Sequence, residues 1–147
     1  MSKPARSSHD SIDTWLTHER GQIDAFVQEV LEHMGHHHFT ESSRFAVRLA
    51  LEEAVSNAFR HGHKGMPAHT PVHVRCRVDD EELTVTIIDQ GPGFKPQDVP
   101  DPTLDENLER TSGRGLMLIR SYMTSVSFSK RGNELNMTYK KPVGKKR

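Results

Sequence analysis

The amino-acid sequence predicts an α+β fold in one domain, and three observations predict it. Residues 19 to 35 and 40 to 61 carry apolar residues at helical spacing. Residues 72 to 78 and 83 to 88 read as two strands joined by a short acidic turn. Near the C-terminus, SVSFSK and ELNMTYK flank Arg131, Gly132 and Asn133, whose turn chemistry predicts a closing antiparallel hairpin. At 147 residues the chain can bury one sizeable core and is too short for two ordinary domains.

Taken in order, residues 1 to 10 are short, polar and expected to be disordered. Ile12, Thr14 and Leu16 alternate as in a first strand. Ile23, Phe26, Val27, Val30, Leu31 and Met34 then form the apolar stripe of an amphipathic helix, with Gly35 as its C-cap. A second helix begins at Thr40 or Ser42 as N-cap and runs to Arg60 or His61. Gly62 and Gly65 end it, and Pro67 and Pro71 close the following loop. Val72, Val74, Cys76 and Val78 alternate, Asp79 to Glu82 mark a turn, and Leu83, Val85, Ile87 and Ile88 return. From 95 to 112 the chain is polar and broken by Pro96, Pro100 and Pro102, the pattern of a lid or binding loop. Leu116, Leu118, Ile119, Tyr122 and Met123 predict one more helix behind Gly113 and Gly115. The expected boundaries are a disordered 1–10, a domain over 11–141 and a basic tail over 142–147.

Twenty basic and twenty acidic residues cancel, so no overall field draws the chain to nucleic acid or an anionic membrane. One cysteine, Cys76, excludes an internal disulfide and fits a reducing compartment. No run resembles a transmembrane span or a signal peptide, so a soluble cytoplasmic protein is expected. Of ten histidines, His36, His37 and His38 follow His33 beside Gly35, as a metal-binding tract or a solvated turn.

Chemistry concentrates in LALEEAVSNAFRHGH, residues 49 to 63, where Glu53, Asn57 and His61 recur every fourth residue and stack on one helix face. A carboxylate one turn from a carboxamide suits proton acceptance beside an amide oxygen that binds Mg2+, and it also suits an ordinary solvated face. DQGPGF, residues 89 to 94, places Asp89 at a strand end before Gly91 and Gly93. That is either a close backbone approach to a ligand or a plain turn. SGRG sets Gly113, Arg114 and Gly115 at a helix start, where free N–H groups and the helix dipole favour an anion. Arg114 adds charge there or is solvated.

EAVSNAFRH, DQGPGF and SGRGLMLI, in that order, resemble the boxes of the GHKL or Bergerat ATPases, which include histidine kinases, DNA gyrase, Hsp90 and MutL. The forms EAVSNAFRHG and GRGLMLIRSYM and the closing GNELNMTYK look most like the anti-sigma-factor serine kinases, RsbW and its sporulation counterparts, over residues 12 to 141. The resemblance implies a two-layer α/β sandwich, the Bergerat ATP-binding fold, with a mixed, mainly antiparallel sheet and helices on one face. ATP and Mg2+ are the implied cofactors. Glu53 takes the general-base position, Asn57 the metal position and Asp89 that of the adenine amino group. Gly91 and Gly93 pack at the base, and Gly113, Arg114 and Gly115 border the triphosphate. His61 is implied as a supporting or capping group, Arg20 as a partner contact and Arg110 as a phosphate contact in the lid.

The implied function is an ATP-dependent protein-serine kinase. It sequesters a sigma factor and phosphorylates a serine of a STAS-domain anti-anti-sigma protein, without direct nucleic-acid or membrane binding, as a homodimer. The alternatives are a non-enzymatic, nucleotide-dependent partner-switch module and a histidine-kinase catalytic domain acting in trans.

Overall fold

The computed structural model describes residues 9–92, 113–129 and 131–142, with backbone alone at 113 and 114. The expected lid, Gly93, Arg110 and the Arg114 side chain lie outside the described residues, as does the N-terminal stretch 1–8. The elements in chain order are β1 (His9–Leu16), α1 (Arg20–His36), α2 (Glu41–Asn57), a π-helical turn (Ala58–Gly62), β2 (Val72–Asp79), β3 (Glu82–Ile88), α3 (Gly113–Tyr122), β4 (Ser125–Phe128) and β5 (Glu134–Lys140). The strands form one sheet in the order β1-β2-β3-β5-β4, and every pairing among the described residues is antiparallel.

Strand alternation separates the faces of the sheet. One register row runs Ile12, Cys76, Val85, Met137 and Val126, and its first four members are buried beneath the helices. The neighbouring row, Asp13, Arg75, Thr86, Asn136 and Ser127, is polar and belongs to the opposite face. On that face Trp15, 54% exposed, stacks on His73 with ring centroids 4.6 Å apart. The helices complete the core with Ile23, Phe26, Val27, Val30 and Met34 of α1, Val47, Leu51 and Val55 of α2, and Ile119 of α3. Burial pushes the Cys76 thiol up to about 12, so it packs as a small apolar group.

Local chemistry explains the ends of the elements. Thr40 caps α2 by accepting the Ser43 N–H at 3.1 Å. Asp79 Oδ1 accepts from the N–H groups of Glu81 and Glu82 and shapes the β2–β3 turn. The last hairpin turns at Gly132, which sits at φ 87.

Four expectations need correction. β1 starts at His9, two residues before the expected boundary. α1 does not end at Gly35 but runs to His36, and the left-handed residue is His38, at φ 68. Phe39 N–H reaches back to the Met34 carbonyl at 3.0 Å and closes this terminus. Gly35 instead permits close packing, because a Cβ there would come within 2.9 Å of Arg44 Nη1.

The histidine tract is not a uniformly solvated turn, since His37 is buried. Its Nδ1 meets Asp80 Oδ1 at 2.7 Å and its Nε2 meets Asp10 Oδ2 at 2.9 Å, joining α1, the β2–β3 turn and β1. Burial would lower its pKa, but these two carboxylates outweigh burial and raise it. Finally, α2 ends at Asn57, and the widened turn over 58–62 carries His61 out of strict α-helical phase with Glu53 and Asn57.

Candidate functional site

The C-terminal half of α2 is buried along Leu51, Ala54 and Val55, and Ala58 of the π turn continues the line, which leaves Glu53 and Asn57 half-buried on its adjoining side. Arg60, aimed back by the π turn, lies with Nη2 3.4 Å from Glu53 Oε2 and 3.4 Å from Asn57 Oδ1. Its Nε donates to Ser56 Oγ at 2.9 Å. Two oxygens on successive turns therefore converge on one cationic point. They form an all-oxygen donor pair of the kind a hard divalent cation takes. The Arg60 and Glu53 side chains are 51% and 24% exposed, so the ion pair contributes about 0–1 kcal/mol and is easily exchanged.

The N-terminal turn of α3 abuts this pair. Gly115 is buried, and a Cβ there would meet the Glu53 carboxylate and push that side chain aside, so glycine lets the two elements approach with Glu53 in place. The N–H groups and positive dipole end of a ten-residue helix thus stand beside Glu53.

Asp89 follows β3 and is fixed from three sides. Its backbone N–H donates to the Asn133 carbonyl at 2.9 Å, and its own carbonyl accepts from Asn133 Nδ2 at 3.0 Å. Its Oδ1 accepts the Gly91 N–H at 2.8 Å. Gly62 and Gly91 make the packing possible. A Cβ on Gly62 would strike the Asp89 carboxylate, and one on Gly91 would strike the Gly62 carbonyl. His63 supports the same turn, its Nε2 accepting the Gln90 N–H at 2.8 Å. Burial lowers the His63 pKa and keeps the ring in the neutral form this bond requires, although Asp89 and the Thr70 carbonyl oppose it. Burial raises the Asp89 pKa, with the Gly91 N–H, His63 and Arg131 acting against it.

The structure therefore brings together Glu53, Asn57 and Gly115 in one cluster, and Asp89, Gly91 and Gly62 in a second. The end of α2 and its π turn link the two. The His61 side chain is exposed at the surface, and partial desolvation of its ring, then Arg60 and Lys64, lower its pKa against the pull of Glu53. Arg20 is a solvated group, 3.7 Å from Asp24 with both side chains exposed. Sequence reasoning passed over Arg60, His63 and Asn133 and read Gly62 only as a helix terminator. The HGH triplet that starts at the last residue of the first box was the available signal for Gly62 and His63.

Comparison with known proteins bears on the same segments. The model of a family described as "Histidine kinase-like ATPase domain" matches residues 16–139. The chain is 36% identical over 98 residues to the anti-sigma F factor of Oceanobacillus iheyensis, covering 63% of this chain and 66% of that protein. It is 31% identical over 100 residues to the serine/threonine-protein kinase BtrW of Bordetella bronchiseptica, covering 65% and 69%. It is 32% identical over 88 residues to the serine-protein kinase RsbW of Bacillus licheniformis, covering 54% and 53%. The chain thus spans about two thirds of the first two relatives and about half of the third. The antiparallel sheet under its helices and the match across 16–139 lead to one conclusion: the chain belongs to the histidine kinase-like ATPase domain family.

Proposed function

We propose that this protein is an ATP-binding anti-sigma-factor serine kinase, which sequesters a sigma factor and phosphorylates a serine on a STAS-type anti-anti-sigma protein. The observation that carries this reading is the contact of α3's first turn with Glu53, one helical turn from Asn57. A carboxylate, an amide oxygen and a helix N-terminus together suit a phosphoryl group and its metal. The names of the relatives, two of them serine kinases and one an anti-sigma factor, support the same assignment.

In this reading Asp89, held by the Gly91 N–H, accepts a hydrogen bond from the adenine amino group. Asn57 Oδ1 and the phosphate oxygens would hold Mg2+, and Arg60 Nη2, 3.4 Å from Asn57 Oδ1, shows that this oxygen accepts a cationic neighbour. Bound Mg2+ supplies charge neutralisation for phosphoryl transfer. The N–H groups of the α3 turn face the phosphates, and Gly93, Gly113 and Arg114 border the nucleotide. Glu53 takes the proton from the substrate serine hydroxyl as that oxygen bonds to the γ-phosphorus and the bond to the β–γ bridging oxygen breaks, releasing ADP.

One observation favours the non-enzymatic alternative. The Glu53 carboxylate is engaged by Arg60 Nη2 at 3.4 Å rather than open to a substrate hydroxyl. Incubation with radiolabelled ATP, Mg2+ and purified STAS-domain proteins from the same genome separates the two readings. Label transferred to a serine of one such protein is the expected result. Binding of ATP and partner with no transfer assigns the partner-switch role instead.

A further inference from the structure

The end of the sheet opposite Asp89 carries a second group of donor atoms with no part in the proposed nucleotide chemistry. β3 spans Glu82–Ile88, which separates the β2–β3 turn from Asp89 by on the order of 20 Å. His33 and His36 lie three residues apart at the end of α1 and so share a face, and Asp10 of β1 stands beside them. One ligating atom from each of the three residues lies within 4.8 Å of the others.

His33 Nδ1 is the informative atom. It is buried, with no hydrogen-bond partner among the described residues. Asp10 Oδ2 lies 3.7 Å away, beyond hydrogen-bonding distance. The other ring nitrogen, Nε2, lies 3.6 Å from Glu29 Oε2, so neither ring nitrogen makes a hydrogen bond to these carboxylates. A buried ring nitrogen and a carboxylate oxygen facing each other across this gap are two donor atoms that a cation between them would join. Asp10 is already held by His37, and His37 by Asp80, the outer-sphere support by which metal sites orient their ligands.

We propose that Asp10, His33 and His36 bind one Zn2+ ion, which ties β1 to the last turn of α1. Two imidazoles and one carboxylate suit Zn2+ better than Mg2+ or Ca2+, which take oxygen ligands. Zinc bonds of about 2.0–2.2 Å place tetrahedral ligand atoms roughly 3.3–3.5 Å apart. The 3.7 Å pair already approaches that spacing, and His36, exposed at the surface, closes the remainder by rotation. Water fills the fourth position.

The test is calorimetric titration of the untagged full chain with ZnCl2 at neutral pH, with melting followed in Zn2+ and in EDTA. One ion per chain and a melting temperature raised by Zn2+ and restored by EDTA are expected. Co2+ in the same site gives the intense visible absorption of tetrahedral coordination. His33→Gln and His36→Gln each weaken binding at least about tenfold, and His37→Gln, which frees Asp10, weakens it by about the same factor. His38→Asn and His69→Gln leave it unchanged. Absence of binding overturns the proposal. So does binding that survives His36→Gln, a surface change the fold tolerates, or that His38→Asn lowers equally.

Discussion

Replacing Gly91 with alanine probes how closely the DQGPG turn must sit against the end of α2. A Cβ at this position would run into the carbonyl of Gly62, a backbone group with no rotamer to escape into. One of the two segments must move, and overpacking of this kind costs about 1–3 kcal/mol of stability. The displacement falls on the Gly91 N–H, which holds Asp89 Oδ1 at 2.8 Å. If Asp89 accepts the adenine amino group, a misplaced ionised acceptor forfeits about 1.5–3 kcal/mol, which is roughly 10- to 150-fold in nucleotide affinity. Titration calorimetry with ATP and Mg2+ measures the affinity, and urea unfolding measures the stability. A Gly91→Ala protein that binds ATP as tightly as the native chain refutes the placement of Asp89 and Gly91 at the base.

Glu53→Gln is expected to slow phosphoryl transfer by about 10²- to 10⁴-fold while leaving ATP affinity nearly unchanged; single-turnover assays check this, and a variant with native transfer rates removes Glu53 from the base role. Because burial holds the Asp89 carboxyl above its ordinary 3.8, ATP affinity falls as pH drops through that raised value and is flat above it. The difference between native protein and Asp89→Asn, titrated side by side, isolates this from protonation of the nucleotide; parallel profiles contradict it. His37→Ala removes the link between Asp10 and Asp80 and is expected to cost about 1–3 kcal/mol in urea unfolding, whereas an unchanged midpoint means the clasp contributes nothing.

The strands were legible because half-buried antiparallel strands impose a period of two, and Val72, Val74, Cys76 and Val78 are buried as that period requires. The Thr40 cap was legible because its chemistry is local. The π turn was not, since a single widened turn leaves no periodic trace, and with it went the position of Arg60. Gly35 misled because glycine near a helix end usually marks a cap, whereas here it makes room for Arg44. His37 was hidden for another reason. Its partners, Asp10 and Asp80, lie 27 and 43 residues away in sequence, and only the fold brings two carboxylates to one imidazole. Within the site, Glu53 and Asn57 stood out by spacing, Asp89 by the glycines that follow it and Gly115 by its place at a helix start, but the contacts of Gly115 with Glu53 and of Gly62 with Asp89 join segments that no local pattern connects.

The central claim is that the end of α2, the turn after β3 and the start of α3 serve one bound nucleotide. Backbone amide NMR of the labelled chain, titrated with ATP and Mg2+, tests it most directly. Saturable shifts at Asn57, at Asp89 through Gly91 and at Gly115, all with one dissociation constant, are the predicted result. Shifts confined to one of these segments, or none at millimolar nucleotide, would contradict it.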